Sequence, residues 1–135
     1  MFSIGANSTL TEVTGSPYAS GGIGPSAILP TTNFIYVANK AVTGSTNGNI
    51  TAFGISTTAG VATGLTAVTS GTISAGVSTL GLAEDSTGTY ILAVNSSGSP
   101  DLNAFTIGTT GALTSYATVS TGSDPVQAGA IAAIP

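Results

Sequence analysis

The chain contains no cysteine, no histidine, no arginine and no tryptophan, and its only basic side chain is Lys40. Without cysteine there is neither a disulfide framework nor a thiol nucleophile, and nothing to tell an oxidising compartment from a reducing one. Without histidine a Ser/His/Asp triad is impossible. With one basic group and a formal net charge of −4, several phosphates cannot be neutralised at once. That excludes nucleic acid as a partner and disfavours anionic membrane surfaces. Charged residues make up 4% of the chain, against about 25% in ordinary soluble domains, so the polar surface must be built from Ser, Thr, Asn and backbone. Long apolar runs are missing too. The longest, at 90–94 and 128–134, fall far short of the ~20 residues of a membrane-spanning helix, so no membrane insertion is expected.

Helix signals are equally scarce, because glycine and β-branched residues interrupt every window and no stretch sustains a 3.6-residue period. What is present is a series of short Val, Ile, Thr, Phe and Tyr runs bounded by Gly, Ser, Asn and Pro. This is the pattern of strands, and the chain reads as all-β. The strongest strands are expected at 34–39, 50–55, 90–95 and 102–107, where β-branched and aromatic content is highest.

The strands also repeat. Phe2-x-Ile4, Phe53-x-Ile55 and Phe105-x-Ile107 recur 51 and 52 residues apart, followed by Leu10-Thr11, Leu65-Thr66 and Leu113-Thr114. "GPSAIL" at 24 returns as "GVSTLGL" at 76 and "DPVQAGAIA" at 124, and "NFIYVAN" at 33 returns as "TYILAVN" at 89, placing Asn39 and Asn95 in the same role. Four strand types repeating at about fifty residues are the mark of a β-propeller-type repeat of four-stranded antiparallel blades. If the strands of a unit are called A to D from the "GPSAIL" phrase, the order is C, D, A, B, C, D, A, B, C, D, A. That gives eleven strands in a single partial propeller domain, about two whole blades plus two partial ones, with units at approximately 1–23, 24–75, 76–123 and 124–135. A sandwich or barrel that repeats a phrase is the alternative.

"GSPYASGGIGPSAILPTTNFIYVANK", with "LTEV" before it and "NITAFGI" after it, resembles the lactonase-like seven-bladed propellers. "IYVAN" is similar to the Tyr-Val-Thr-Asn repeats of microbial surface-layer propellers. The resemblance implies a propeller fold, a surface location, and either a scaffold role or, as the alternative, a fragment of a sugar-lactone-hydrolysing enzyme whose catalytic residues lie outside this chain. Family members with ring-opening chemistry rely on basic and acidic side chains converging on the central channel. No His or Arg is present here to carry that role over, so no catalytic residue is assigned and no enzymatic activity is expected.

The remaining candidates are few. A Ser/Lys pair would have to use Lys40, which reads as a solvated loop lysine. Glu84 and Asp85 sit in "EDSTGTY", where they are expected to serve a tight turn and not to act as paired acid and base. Asp101 and Asp124 match no metal loop, so neither metal nor cofactor is expected. Sequons at Asn7, Asn49 and Asn95 are expected by chance in a chain so rich in Asn, Ser and Thr, and "SGGIG" lacks the helix and lysine of a phosphate loop. The B-to-C and D-to-A loops are expected to share one rim and to carry Asn39, Lys40, Asn95, Asp101 and Asp124. These five are the candidate ligand-binding residues, and a neutral glycan or polar polymer suits so little charge.

Two further expectations concern setting. A neutral Thr/Ser/Gly surface suggests an extracellular or cell-surface location. An arc of fewer than three blades leaves apolar end faces uncovered, so head-to-tail self-association into a ring or filament is expected.

Overall fold

The computed structural model describes residues 1–5, 7–125 and 131–132. Its regular elements are nine strands: β1 (Phe2–Ile4), β2 (Leu10–Glu12), β3 (Ile23–Pro30), β4 (Phe34–Ala41), β5 (Asn47–Thr58), β6 (Val61–Glu84), β7 (Tyr90–Ser97), β8 (Leu102–Ile107) and β9 (Leu113–Val119). All pairings are antiparallel. β1 and β2 form a hairpin, and β3 to β9 form a seven-stranded meander in sequence order. Neither sheet closes on itself, and no helix occurs among the described residues.

Every expected strand but the last has its counterpart. The eleventh, at 126–134, lies outside the described residues except for Ile131 and Ala132. One boundary differs. The expected D strand of one unit and A strand of the next run together as the 24-residue β6. Its residues 61–77 pair with β5 and residues 77–84 pair with β7 on the opposite edge, so β6 belongs to two leaves at once. The chain turns within this strand instead of leaving it: Ser70, Gly76 and Ser78 take φ of 56°, 97° and 53°, and residues 68–71 bulge out between Ala67 and Thr72, which face Phe53 and Thr51. Bulges bend a strand and sharpen its twist while keeping most of its ladder intact.

The same pairing recurs in both leaves. Ile35 faces Phe53 as Ile91 faces Phe105, and Ile55 faces Leu65 as Ile107 faces Leu113. Even the bulge returns. Pro25 faces Asn39 and Ala27 faces Ala38, while Thr79 faces Asn95 and Gly81 faces Val94. This register sets Pro25 against Thr79, two positions away from the alignment of "GPSAIL" with "GVSTLGL". Ladder bonds to the neighbouring strand, not the glycines of the phrase, fix the register.

Alternation then sorts the side chains. In β7, Ile91, Ala93 and Asn95 are buried while Leu92 and Val94 are half-buried, as period two requires. The inward set of both leaves joins one core of Tyr36, Ile50, Ala52, Ala75, Ile91, Ala93, Phe105 and Leu113. Fully burying a side chain of this size is worth about 1.5–3 kcal/mol. The leaves are pinned by Tyr36, whose hydroxyl donates to the Gly111 carbonyl at 3.1 Å, and by Ser26, whose hydroxyl donates to the Thr79 carbonyl at 2.7 Å.

Burial, with the nearby Glu84 charge, pushes the Tyr36 phenol from 10.0 up to about 12. The folded state thus holds this proton more tightly than the unfolded chain, and the stability it lends is complete below pH 10 and lost as pH rises through about 12. A Tyr36→Phe variant should lose about 1 kcal/mol at neutral pH by denaturant titration. It should also lack the wild-type decline between pH 10 and about 12.

Candidate functional site

Of the five expected binding residues, Asp101 and Asp124 line a surface concavity. Asn39 and Asn95, expected in loops, are instead wholly buried in β4 and β7. Each side chain is used to tie the backbone beside it. Asn39 Nδ2 donates to the Ser20 carbonyl and to Asn49 Oδ1, both at 2.9 Å, and Asn49 Nδ2 donates to the Gly21 carbonyl at 2.9 Å. Asn95 Nδ2 donates to the Pro100 carbonyl at 2.9 Å and to Asn103 Oδ1 at 2.8 Å, and its Oδ1 accepts from the Thr79 hydroxyl at 2.8 Å. Glycine is needed next to both amides: a Cβ on Gly22 would lie 2.6 Å from Asn39 Cβ, and one on Gly76, at φ +97°, would collide with the Asn95 amide. The "SGGIG" and "SAGV" phrases are shaped by these two side chains.

Asp101 is also buried. Its carboxylate accepts from the Thr121 backbone N–H and, at 2.9 Å, from the Thr121 hydroxyl, and its carbonyl accepts from the Asn95 backbone N–H at 2.8 Å. It forms the floor of a shallow cleft of about 190 Å³ bounded by Ser99, Ser120, Ser123 and the exposed Asp124. The structure thus brings Asp101 and Asp124 together. Lys40 is exposed on β4 and does not line this cleft.

Glu84 and Asp85 diverge, as adjacent residues at a strand end should. Glu84 lines a second cleft of about 210 Å³ with Thr31, Asn33, Phe34 and Ile107. Asp85 organises its own turn: Oδ1 accepts from the amides of Thr89 at 2.8 Å and Tyr90 at 2.7 Å, and Oδ2 accepts from the Thr87 amide at 3.1 Å and from the Thr87 hydroxyl. The Thr87 hydroxyl and these amides hold the carboxyl down from 3.8 to about 2. A hydroxyl beside a carboxylate has the outline of a nucleophile and base, but so weak a base leaves the threonine protonated at neutral pH.

A further concavity, about 450 Å³, was not anticipated from the sequence. It lies on the outer face of the first leaf between Ile28, Ile35, Val37, Phe53 and Leu65, with Met1, Pro17 and Tyr18 along one side. Tyr18 fixes that wall, donating to the Thr14 carbonyl at 3.1 Å and accepting from the Leu65 amide at 3.2 Å. Its signal in the sequence was the loss of alternation in "NFIYVAN": Ile35 and Val37 face one way, Phe34 and Tyr36 the other, and both sets are apolar. The groove offers apolar contact and no reactive group. No protein-family model, curated protein or solved structure matches the chain.

Two measurements test this arrangement. Asn95→Ala leaves Thr79, Asn103 and the Pro100 carbonyl without their shared partner in a buried setting, and should cost at least about 2 kcal/mol in denaturant unfolding. Asp85→Asn acts on acid stability. The wild-type carboxyl titrates lower in the folded than in the unfolded chain, so its contribution is present above 3.8 and disappears as pH falls through about 2. The melting temperatures of wild type and Asp85→Asn should therefore differ at neutral pH and converge towards the acid end of that window.

Proposed function

We propose that this chain is a non-catalytic β-propeller-type repeat module that serves as an extracellular or cell-surface scaffold and binding platform. The observation that carries this reading is the recurrence of one pairing frame, bulge included, in two successive leaves whose faces are apolar on both sides. Such a unit stacks on neighbours of its own kind. The candidate polar residues point the same way. Asn39, Asn95, Thr79 and Asp101 are taken up by internal hydrogen bonds, and the carboxylate with a hydroxyl at hand in the β6–β7 turn is held at about 2. Binding falls to the rim, where Asp124 and the serines beside Asp101 offer hydroxyl and carboxylate groups to a neutral glycan or polar polymer, with Lys40 exposed on β4.

Purified protein should show no lactone hydrolysis above buffer between mild acid and mild alkali. In a titration with neutral polysaccharides followed by amide chemical shifts, changes should centre on residues 98–101 and 120–124. Lactone turnover lost in Lys40→Ala or Asp101→Ala would replace this reading with that of a lactonase-like enzyme.

A further inference from the structure

The hairpin β1–β2 reproduces β8–β9 residue for residue at an offset of 103: Phe2, Ile4 and Leu10 stand where Phe105, Ile107 and Leu113 stand. Ile4 faces Leu10 as Ile107 faces Leu113. The connecting loops carry the same hydrogen bonds, Gly5 N to Thr9 O and Gly108 N to Ala112 O, both at 2.8 Å, with Ser8 N to Gly5 O at 3.0 Å matched by Gly111 N to Gly108 O at 2.8 Å. The environments differ sharply. Phe105 is fully buried and Leu113 is 7% exposed, whereas Phe2, Ile4 and Leu10 are 58%, 76% and 66% exposed.

The surface that β8–β9 rests on shows what β1–β2 is missing. Phe105 and its neighbours pack on the inner face of the first leaf, which presents Phe34, Tyr36 and Val68. The same register positions in the second leaf are Tyr90, Leu92 and Tyr116. Tyr36 faces Ala52 as Leu92 faces Ala104, and Val68 and Tyr116 each follow the residue opposite the paired phenylalanine. These three lie on the outer face of the second leaf. Tyr116 is 64% exposed and packs at a tilt against Tyr90, 4.9 Å between ring centroids. Ile131 lies against the second leaf beside Gly81 and Val94.

Within one chain the hairpin cannot reach this face, because β1–β2 lies beside the outer groove of the first leaf, where Met1 lines the wall, and the second leaf packs on the other side. We infer that the outer face of the second leaf, at Tyr90, Leu92 and Tyr116, binds the β1–β2 hairpin of a second copy of this chain through Phe2, Ile4 and Leu10. The contact repeats an interface already present inside the molecule. It is apolar on both sides, with Glu12 opposite Phe2 and Asp85 in its own turn as the flanking charges. Two different surfaces meet, so the contact is heterologous and propagates into a ring or a filament. This names a partner for the scaffold reading above and rests on it only for purpose: a chain that hydrolyses lactones yet assembles this way overturns that reading and leaves this one standing.

Light scattering from micromolar to millimolar concentration tests the inference with two surface variants, Ile4→Lys and Tyr116→Lys. Wild-type mass should rise about twofold or more with concentration, and each variant alone should remain a monomer. An equimolar mixture of the two should form a dimer, because Ile4→Lys retains the receiving face and Tyr116→Lys retains the hairpin. Far-UV circular dichroism checks folding, and Leu92→Thr substitutes for Tyr116→Lys if the latter unfolds. Wild type that stays monomeric, either variant associating like wild type, or a mixture that stays monomeric overturns the inference.

Discussion

The packing of two apolar leaves across a single shared strand is the constraint on which the rest of the structure depends. β6 enters as the last strand of the first leaf and leaves as the first strand of the second, so the inward faces must meet where it bends. Tyr36 and Phe105 fill the space between them, and the Tyr36 hydroxyl satisfies a carbonyl in the β8–β9 loop of the opposite leaf. With almost no charge available, nothing electrostatic could hold the leaves in place. The alignment comes from side-chain shape and from hydroxyl-to-carbonyl bonds in a medium of low polarity, where each such bond is costly to leave unmade.

The same shortage of charge explains the asparagines. Loop carbonyls that no ladder reaches need donors, and a neutral amide supplies them without the desolvation cost of an ion. Asn39 and Asn95 do this at equivalent positions with different partners: the first uses Asn49 and the Ser20 carbonyl, the second uses Asn103, Thr79 and the Pro100 carbonyl. The nearby glycines follow from these amides, since a side chain at Gly22 or Gly76 would occupy the space the amide fills. Function of the kind read here is therefore a matter of surfaces. Most interior polar groups are engaged in structure, Asn39 Oδ1 and Thr51 Oγ1 being buried without a partner among the described residues.

Much of the fold was legible because a β-strand advertises itself locally. Alternation in "YILAV", apolar residues on both faces in "NFIYVAN" and turn chemistry in "EDSTGTY" each depend on neighbours along the chain, and the structure places β7, β4 and the Asp85 turn accordingly. Repetition added the succession of strand types, which the common pairing frame of the two leaves reproduces. The site was less legible. Asn39 and Asn95 stood out for ending their strands, but that position alone could not distinguish a solvent-facing amide from a buried one. That depends on residues 19 and 10 positions away for Asn39, and 16 and 8 away for Asn95.

The sequence by itself determined the all-β class, the succession of strands, the apolar character of both faces and the lack of histidine, arginine and cysteine, since each follows from composition or from contacts within one hairpin. Tertiary structure alone decided that two expected strands merge into β6, that the register sets Pro25 against Thr79, that Asp101 and Asp124 share a cleft, and which copies of a repeated face are covered. Those outcomes depend on which leaf lies against which. Phe2 and Phe105 have the same local sequence logic and the same hairpin, yet one is exposed and the other buried. Burial is a property of what arrives from elsewhere in the chain, or from another chain.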